Sequence, residues 1–145
     1  MAQRLPTSAL LVLVGDLGAG KTTLVQQLAQ ALNSPASVSS PTYTLIHEYP
    51  SPQGLLVHID AYRLTSGDTS GEVATNLEHL GLDDYLERAR CVLVEWGEAL
   101  LEPYPEAFVV YLELPANAQD DARHATIKQH NQPLTDLEAE VSACI

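Results

Sequence analysis

Basic residues are scarce in this chain. It carries 7 Lys+Arg against 19 Asp+Glu, a formal net charge of -12. The seven are scattered as Arg4, Lys21, Arg63, Arg88, Arg90, Arg123 and Lys128. Unaided nucleic-acid binding needs clustered cations that displace counterions, so this balance argues against it. RNA stays within reach only if a partner holds it. Cysteine is nearly absent: Cys91 and Cys144 form no metal spacing, and Cys91 opens an apolar run. Both are expected to be reduced thiols. Long apolar runs are missing as well. The longest, Ala9–Val14, is strand-sized, far short of the roughly 18 residues of a membrane-spanning helix. The N-terminus lacks a charged region followed by a secretory apolar stretch. The expected location is therefore the cytoplasm, with no membrane partner. The chain shows no internal repeat and no low-complexity tract.

What is present fits one globular domain over residues 1–145. Hydrophobic residues make up 46% and charged residues 18%, enough apolar material for a real core. Ala9–Val14 (ALLVLV) reads as a buried strand. A helix is expected from Thr22 to Leu32, with Leu24, Leu28, Ala31 and Leu32 on one face and Asn33-Ser34-Pro35 as its stop. Thr42–Tyr49 and Leu55–Asp60 read as strands. The five residues between them suit a hairpin and are too few for a helical crossover, so a mixed, partly antiparallel sheet is expected. Glu72–Leu80 is predicted to be helical, with Val73, Leu77 and Leu80 on one face and Gly81 past its end. A short helix follows over Asp83–Ala89, then strands at Cys91–Glu95 and Phe108–Leu114. After Pro115 the chain turns polar, and Thr135 with Glu138 has capping-box spacing for a last helix. Alternating strands and helices give an α/β class.

One stretch carries chemistry on its face. Gly15-Asp16-Leu17-Gly18-Ala19-Gly20-Lys21-Thr22 matches G-x-x-x-x-G-K-[ST] in full, and Thr23 follows. Glycines let backbone N–H groups approach phosphate oxygens closely. Lys21 supplies a point charge to the β- and γ-phosphates, and Thr22 offers a hydroxyl to magnesium. The helix that starts there adds the positive end of its dipole. An apolar strand before and an amphipathic helix after complete the required context. The motif indicates nucleotide binding without naming the reaction.

Two later strands end in acids, LLVHID at Asp60 and CVLVE at Glu95. Proteins with such a loop hold magnesium or orient the attacking water with acids placed there. Ligands of open α/β sheets sit at the carboxyl ends of strands. A surface acid at a strand end is the plain alternative. Thr42, in Ser40-Pro41-Thr42, suits a switch threonine that senses the γ-phosphate, or an ordinary turn opening. His58 and Asp60 share a strand face, which allows a metal pair, though a satisfied, partly buried imidazole is the simpler reading of His58. Arg63 suits either a phosphate contact or a structural ion pair. Trp96 reads as a core anchor that holds Glu95 in place. No nucleophile with a paired base is evident. No set of arginines is available for the lid of a small kinase.

Taken together, GDLGAGKTTL, SPTYTL, HIDAYRL, LGLDDYL and VEWGE stand in the order and spacing of one family. They resemble the TsaE (YjeE) family of P-loop ATPases, which serve bacterial tRNA threonylcarbamoyladenosine synthesis. The likeness runs from Leu11 to Leu114. It implies a three-layer P-loop NTPase-type domain that binds ATP and Mg2+ and hydrolyses ATP slowly. It implies docking on a complex of TsaB and TsaD, with tRNA engaged only indirectly through these partners. On that likeness the phosphate loop maps onto Gly15 to Thr23 and the switch threonine onto Thr42. The H-x-D-x-Y-R aspartate maps onto Asp60, and the E-W glutamate onto Glu95. Lys21 would neutralise phosphate charge, Thr22 would hold magnesium, Asp60 would hold magnesium or activate water, and Glu95 would act on magnesium from the γ-phosphate side. The chain departs from the family in two places. Eight residues precede Ala9, so Met1–Pro6 reads as the tail of a longer N-terminal helix. Ala122-Arg123 stands where the family often has Gly-Arg. Two other readings remain beside this one: a small-molecule or nucleotide kinase, and a non-hydrolytic ATP-binding module.

Overall fold

The computed structural model describes residues 6–16, 18–38, 44–65, 70–113, 123–130 and 141–143. Among the described residues, seven strands form one mixed sheet. They are β1 (Ala9–Val14), β2 (Ile46–Tyr49), β3 (Leu55–Asp60), β4 (Ala89–Glu95), β5 (Phe108–Glu113), β6 (Arg123–Gln129) and β7 (Val141–Ala143). Among the described residues the helices are α1 (Lys21–Ala31), α2 (Tyr62–Thr65), α3 (Ser70–His79) and α4 (Leu82–Arg88). A 3₁₀ turn spans Glu98–Leu100. The sheet order is β2-β3-β4-β1-β5-β6-β7. The inner strands β3, β4, β1 and β5 are parallel, and β2, β6 and β7 pair antiparallel at the edges. This is the α/β, three-layer arrangement expected from the sequence.

Parallel strands need both faces covered, and two apolar clusters do this. On one face Leu11, Leu13, Leu56, Leu93 and Val110 pack with Leu24, Val25, Leu28, Ala29 and Leu32 of the α1 segment. On the other, Leu10, Val12, Val57, Ile59, Val92 and Val94 pack with Val73 and Leu77 of α3, Leu82 of α4 and Leu100. Each fully buried aliphatic side chain stabilises the fold by about 1.5–3 kcal/mol.

Several local expectations shift. Helix α1 begins one residue early, at Lys21, and buries Val25 and Ala29, while Ala31 is exposed. The buried arc is centred toward Val25, so Ala31 falls at its rim. Thr44 and Leu45 form a turn before β2, with Leu45 at φ 62; the remainder of the expected strand, Thr42 and Tyr43, lies outside the described residues. Leu80 sits past the end of α3 and is exposed, because the chain turns at Gly81 with φ 91. The polar segment after Pro115 contributes strands β6 and β7. Arg123 is the first residue of β6, and the helix expected from Thr135 lies outside the described residues.

No helix among the described residues is long and apolar enough to cross a membrane. Cys91 is buried in β4, and burial pushes its thiol up to about 12. The thiolate is the reactive form. With Cys144 replaced by serine, Cys91 is therefore expected to resist Ellman's reagent at pH 8 in the native protein and to react fully in denaturant. Rapid labelling of the native protein would contradict its placement.

Candidate functional site

Strand β1 delivers the chain to the carboxyl edge of the sheet, where the glycine-rich loop begins. Gly15 faces the neighbouring strand so closely that a Cβ there would lie 2.8 Å from the Leu112 carbonyl oxygen. The loop then turns, with the Ala19 N–H donating to the Asp16 carbonyl at 2.9 Å. Gly18 and Gly20 take φ of 82 and 100, a region that L side chains rarely enter. Gly20 precedes α1, and no side chain caps the helix. The first N–H groups of a helix have no intrahelical partner, so Lys21, Thr22 and Thr23 present them with the positive end of the helix dipole. Leu17 and Thr42, both assigned to the nucleotide from the sequence, lie outside the described residues.

Lys21 is buried, at 6% exposure. Its Nζ donates to the Gly15 carbonyl at 2.7 Å and to the Asp16 carbonyl at 3.3 Å. It also lies over the Trp96 ring, 5.2 Å from the centroid, a favourable cation–π distance. An ammonium has three donors, and two carbonyls leave one for a phosphate oxygen. Trp96 thus does more than anchor the core. Its backbone is at φ 60, an uncommon state for a bulky residue. Gly97 makes the bend practicable, since a Cβ there would stand 2.6 Å from Val94 Cγ1. Tyr62 also packs against Trp96, with ring centroids 5.3 Å apart.

Asp60 and Glu95 are register partners at the ends of β3 and β4, each 5% exposed. The Ala61 N–H donates to the Glu95 carbonyl at 2.9 Å, which ties the two strand ends together. Asp60 Oδ1 accepts the Tyr62 N–H at 3.0 Å. Both acids are therefore strand-end groups turned into the structure, not surface acids. His58 departs from expectation: it is fully buried, and only one ring nitrogen has a partner. Its Nε2 lies 2.8 Å from Glu95 Oε1, while Nδ1 is sealed without one. A carboxylate only accepts, so Nε2 donates, and Nδ1 is a stranded polar atom. Such an orphan costs about 1–3 kcal/mol. The ring bonds to Glu95, so it is not paired with Asp60 around a metal. Arg63 is exposed on α2.

A cavity of about 200 Å³ opens beside the loop, lined by Leu13, Val14, Gly15, Asp16, Lys21, Trp96 and Glu98. A larger one, about 470 Å³, lies at the opposite end of the strands among Pro6, Ala9, Pro103, Tyr104 and Phe108. The smaller cavity lies at the phosphate-loop end of the strands, where Asp16, Lys21 and Glu98 supply its charged lining; Asp60 and Glu95 close the neighbouring strands β3 and β4 at the same end of the sheet. Its lining adds Glu98 to the residues foreseen from sequence; that acid stands inside the VEWGE stretch but ends no strand.

Among the described residues no three His, Cys, Asp or Glu side chains gather tightly enough to hold a metal by themselves. Magnesium is commonly held by one or two carboxylates together with nucleotide phosphates. Asp60, Glu95 and the Thr22 hydroxyl supply hard oxygen donors of the right kind.

The family model described as "Threonylcarbamoyl adenosine biosynthesis protein TsaE" matches residues 1–125. The chain belongs to the TsaE family. The Haemophilus influenzae tRNA threonylcarbamoyladenosine biosynthesis protein TsaE is 37% identical over 110 residues, 76% of this chain and 63% of that protein. The Streptomyces coelicolor protein of the same name is 35% identical over 131 residues, 88% of this chain and 84% of that one. The Aquifex aeolicus TsaE is 50% identical over 72 residues, 48% of this chain and 54% of that one. The chain thus spans less than two thirds of two of these relatives. The crystal structure of Bacillus subtilis YdiB superposes with a TM-score of 0.64 at 31% identity, over 89% of this chain and 73% of that one.

Gly15 tests the loop geometry directly. The backbone carbonyl of Leu112 cannot move aside as a flexible side chain would. Gly15→Ala is expected to destabilise the fold by about 1–3 kcal/mol, the usual range for overpacking, in urea denaturation. A neutral result would contradict the close approach of the loop to β5.

Proposed function

We propose that the chain is the ATP-binding, slowly ATP-hydrolysing subunit of the machinery for tRNA threonylcarbamoyladenosine synthesis. The observation that carries this reading is the convergence of Lys21, the uncapped start of α1, Asp60 and Glu95 at one edge of the sheet. The residues 1–145 act in it as one P-loop domain in the cytoplasm. The loop from Gly15 to Thr23 binds the phosphates through its N–H groups. Lys21 offsets their charge with its remaining donor. Magnesium, when bound, would screen the phosphates and fix their orientation. Thr22, Asp60 and Glu95 would hold it, and one of the two acids would orient the attacking water. Thr42 would report the γ-phosphate to the rest of the chain.

The partners in this reading are a TsaB–TsaD complex, and tRNA is engaged only through them. The net charge of -12 supports an indirect role, because a polyanion is poorly held by an acidic surface. A kinase reading is less well supported: among the described residues no arginine lines the phosphate-end cavity to clamp a transferring group.

The deciding measurement is magnesium-dependent ATP hydrolysis, alone and with purified TsaB–TsaD complex. The expected result is a low rate alone that rises with the complex. Lys21→Ala is expected to lower turnover about 100- to 1,000-fold, as loss of one preorganised electrostatic group does, with the melting temperature kept. Unchanged turnover in that variant would overturn the site assignment. Phosphate transfer to an added small acceptor would favour the kinase reading.

A further inference from the structure

His58 is the residue whose presence the fold does not explain. It stands in β3 between Val57 and Ile59, and Leu56, Val57, His58 and Ile59 are all sealed from solvent. An aliphatic side chain there would continue the apolar run of the strand. The imidazole instead leaves Nδ1 without a partner and directs Nε2 onto Glu95 Oε1 at 2.8 Å. His47 is its register partner on β2, but that ring is engaged by the Tyr49 hydroxyl at 2.9 Å through Nδ1. The one polar service His58 performs is therefore to Glu95. The bond occupies Oε1 and leaves Oε2 as the oxygen available to a cation or a water. It also fixes the carboxylate beside Asp60, its register partner, where two like charges would otherwise turn away from each other.

We propose that His58 is a positioning residue. Its Nε2–H locks the Glu95 carboxylate in the orientation that meets the magnesium of a bound magnesium–nucleotide. The inference rests on the nucleotide reading above and adds a residue that touches neither nucleotide nor metal. Partners of this kind, which hydrogen-bond a metal-binding carboxylate from behind, typically account for 10- to 100-fold in metal affinity.

The test is ATP affinity by calorimetry, measured in EDTA and in magnesium, for the wild-type chain and for H58L, H58N and H58Q. The ratio of the two affinities is the magnesium gain, a binding readout independent of turnover. Glutamine places an amide donor near the Nε2 position, whereas asparagine is polar but too short to reach Glu95. The expected result is unchanged affinity in EDTA for all four proteins. In H58L and H58N the magnesium gain falls about 10- to 100-fold, and in H58Q it is largely kept. Thermal melting identifies any variant that fails to fold, and if H58L fails the polar pair H58N and H58Q decides. A full magnesium gain in H58N or a folded H58L would overturn the proposal and leave the nucleotide reading standing. Loss in H58Q equal to that in H58N would overturn the role of the hydrogen bond. A wild-type chain that binds no ATP in either buffer would bring down the nucleotide reading and this inference with it.

Discussion

Asp60 and Glu95 stand side by side because β3 and β4 run parallel and in register to their last residues. Parallel neighbours require a crossover between them, and each crossover here leaves from the same edge of the sheet. The glycine-rich loop and α1 leave from β1, α2 to α4 from β3, and the 3₁₀ turn from β4. Because β1 lies between β4 and β5, the loop opens next to Glu95, with Asp60 one strand further on. The geometry of the site follows from strand order. No side chain has to reach far.

The same edge is where the interior departs from apolar packing. Among the described residues the buried polar or charged side chains are Lys21, His58, Asp60 and Glu95. All four belong to this one place. Burying such groups is unfavourable unless they are paired, and the pairings are local. Lys21 uses loop carbonyls and the Trp96 face, Asp60 uses the Tyr62 N–H, and Glu95 uses His58. The stability that tolerates them comes from the two apolar layers on either side of the sheet. Concentrated conflict of this kind, inside a sequence that is otherwise locally consistent, is the pattern expected where a site carries function.

How much of this was legible in the sequence depended on whether the signal was local. The bounds of β1 and β3 could be read directly, because apolar runs, broken in β3 by His58 alone, end at Gly15 and Asp60. The hairpin was legible because five residues cannot carry a crossover. Strand β6 was not, since Ala125 and Ile127 are the only apolar residues of RHATIKQ; it is a strand because β5 offers an unpaired edge. The single turn of α2 has too few residues for a helical period. At the site, the acids were readable as strand ends. The bond from His58 to Glu95 spans 37 positions and depends on the register of two strands. The placement of Lys21 over Trp96 likewise needs β1 and β4 to be neighbours. Spacing along the chain encodes neither.

Charge ties the site to the rest of the molecule. A nucleotide triphosphate is a polyanion, and a chain with net charge -12 repels it at long range. Salt screens that repulsion beyond about 8 Å under physiological conditions. Attraction therefore has to come from groups in direct contact: the first N–H groups of α1, Lys21 and a divalent cation. Two carboxylates and a hydroxyl form too small a donor set to retain magnesium strongly alone, so in the proposed reading the metal is held jointly with the phosphates. That arrangement favours the metal-bound nucleotide over the free one. The cation lowers the charge that has to approach an acidic surface, and it also relieves the repulsion between Asp60 and Glu95. In that reading, acids that would hinder a bare polyanion are the groups that select its magnesium complex.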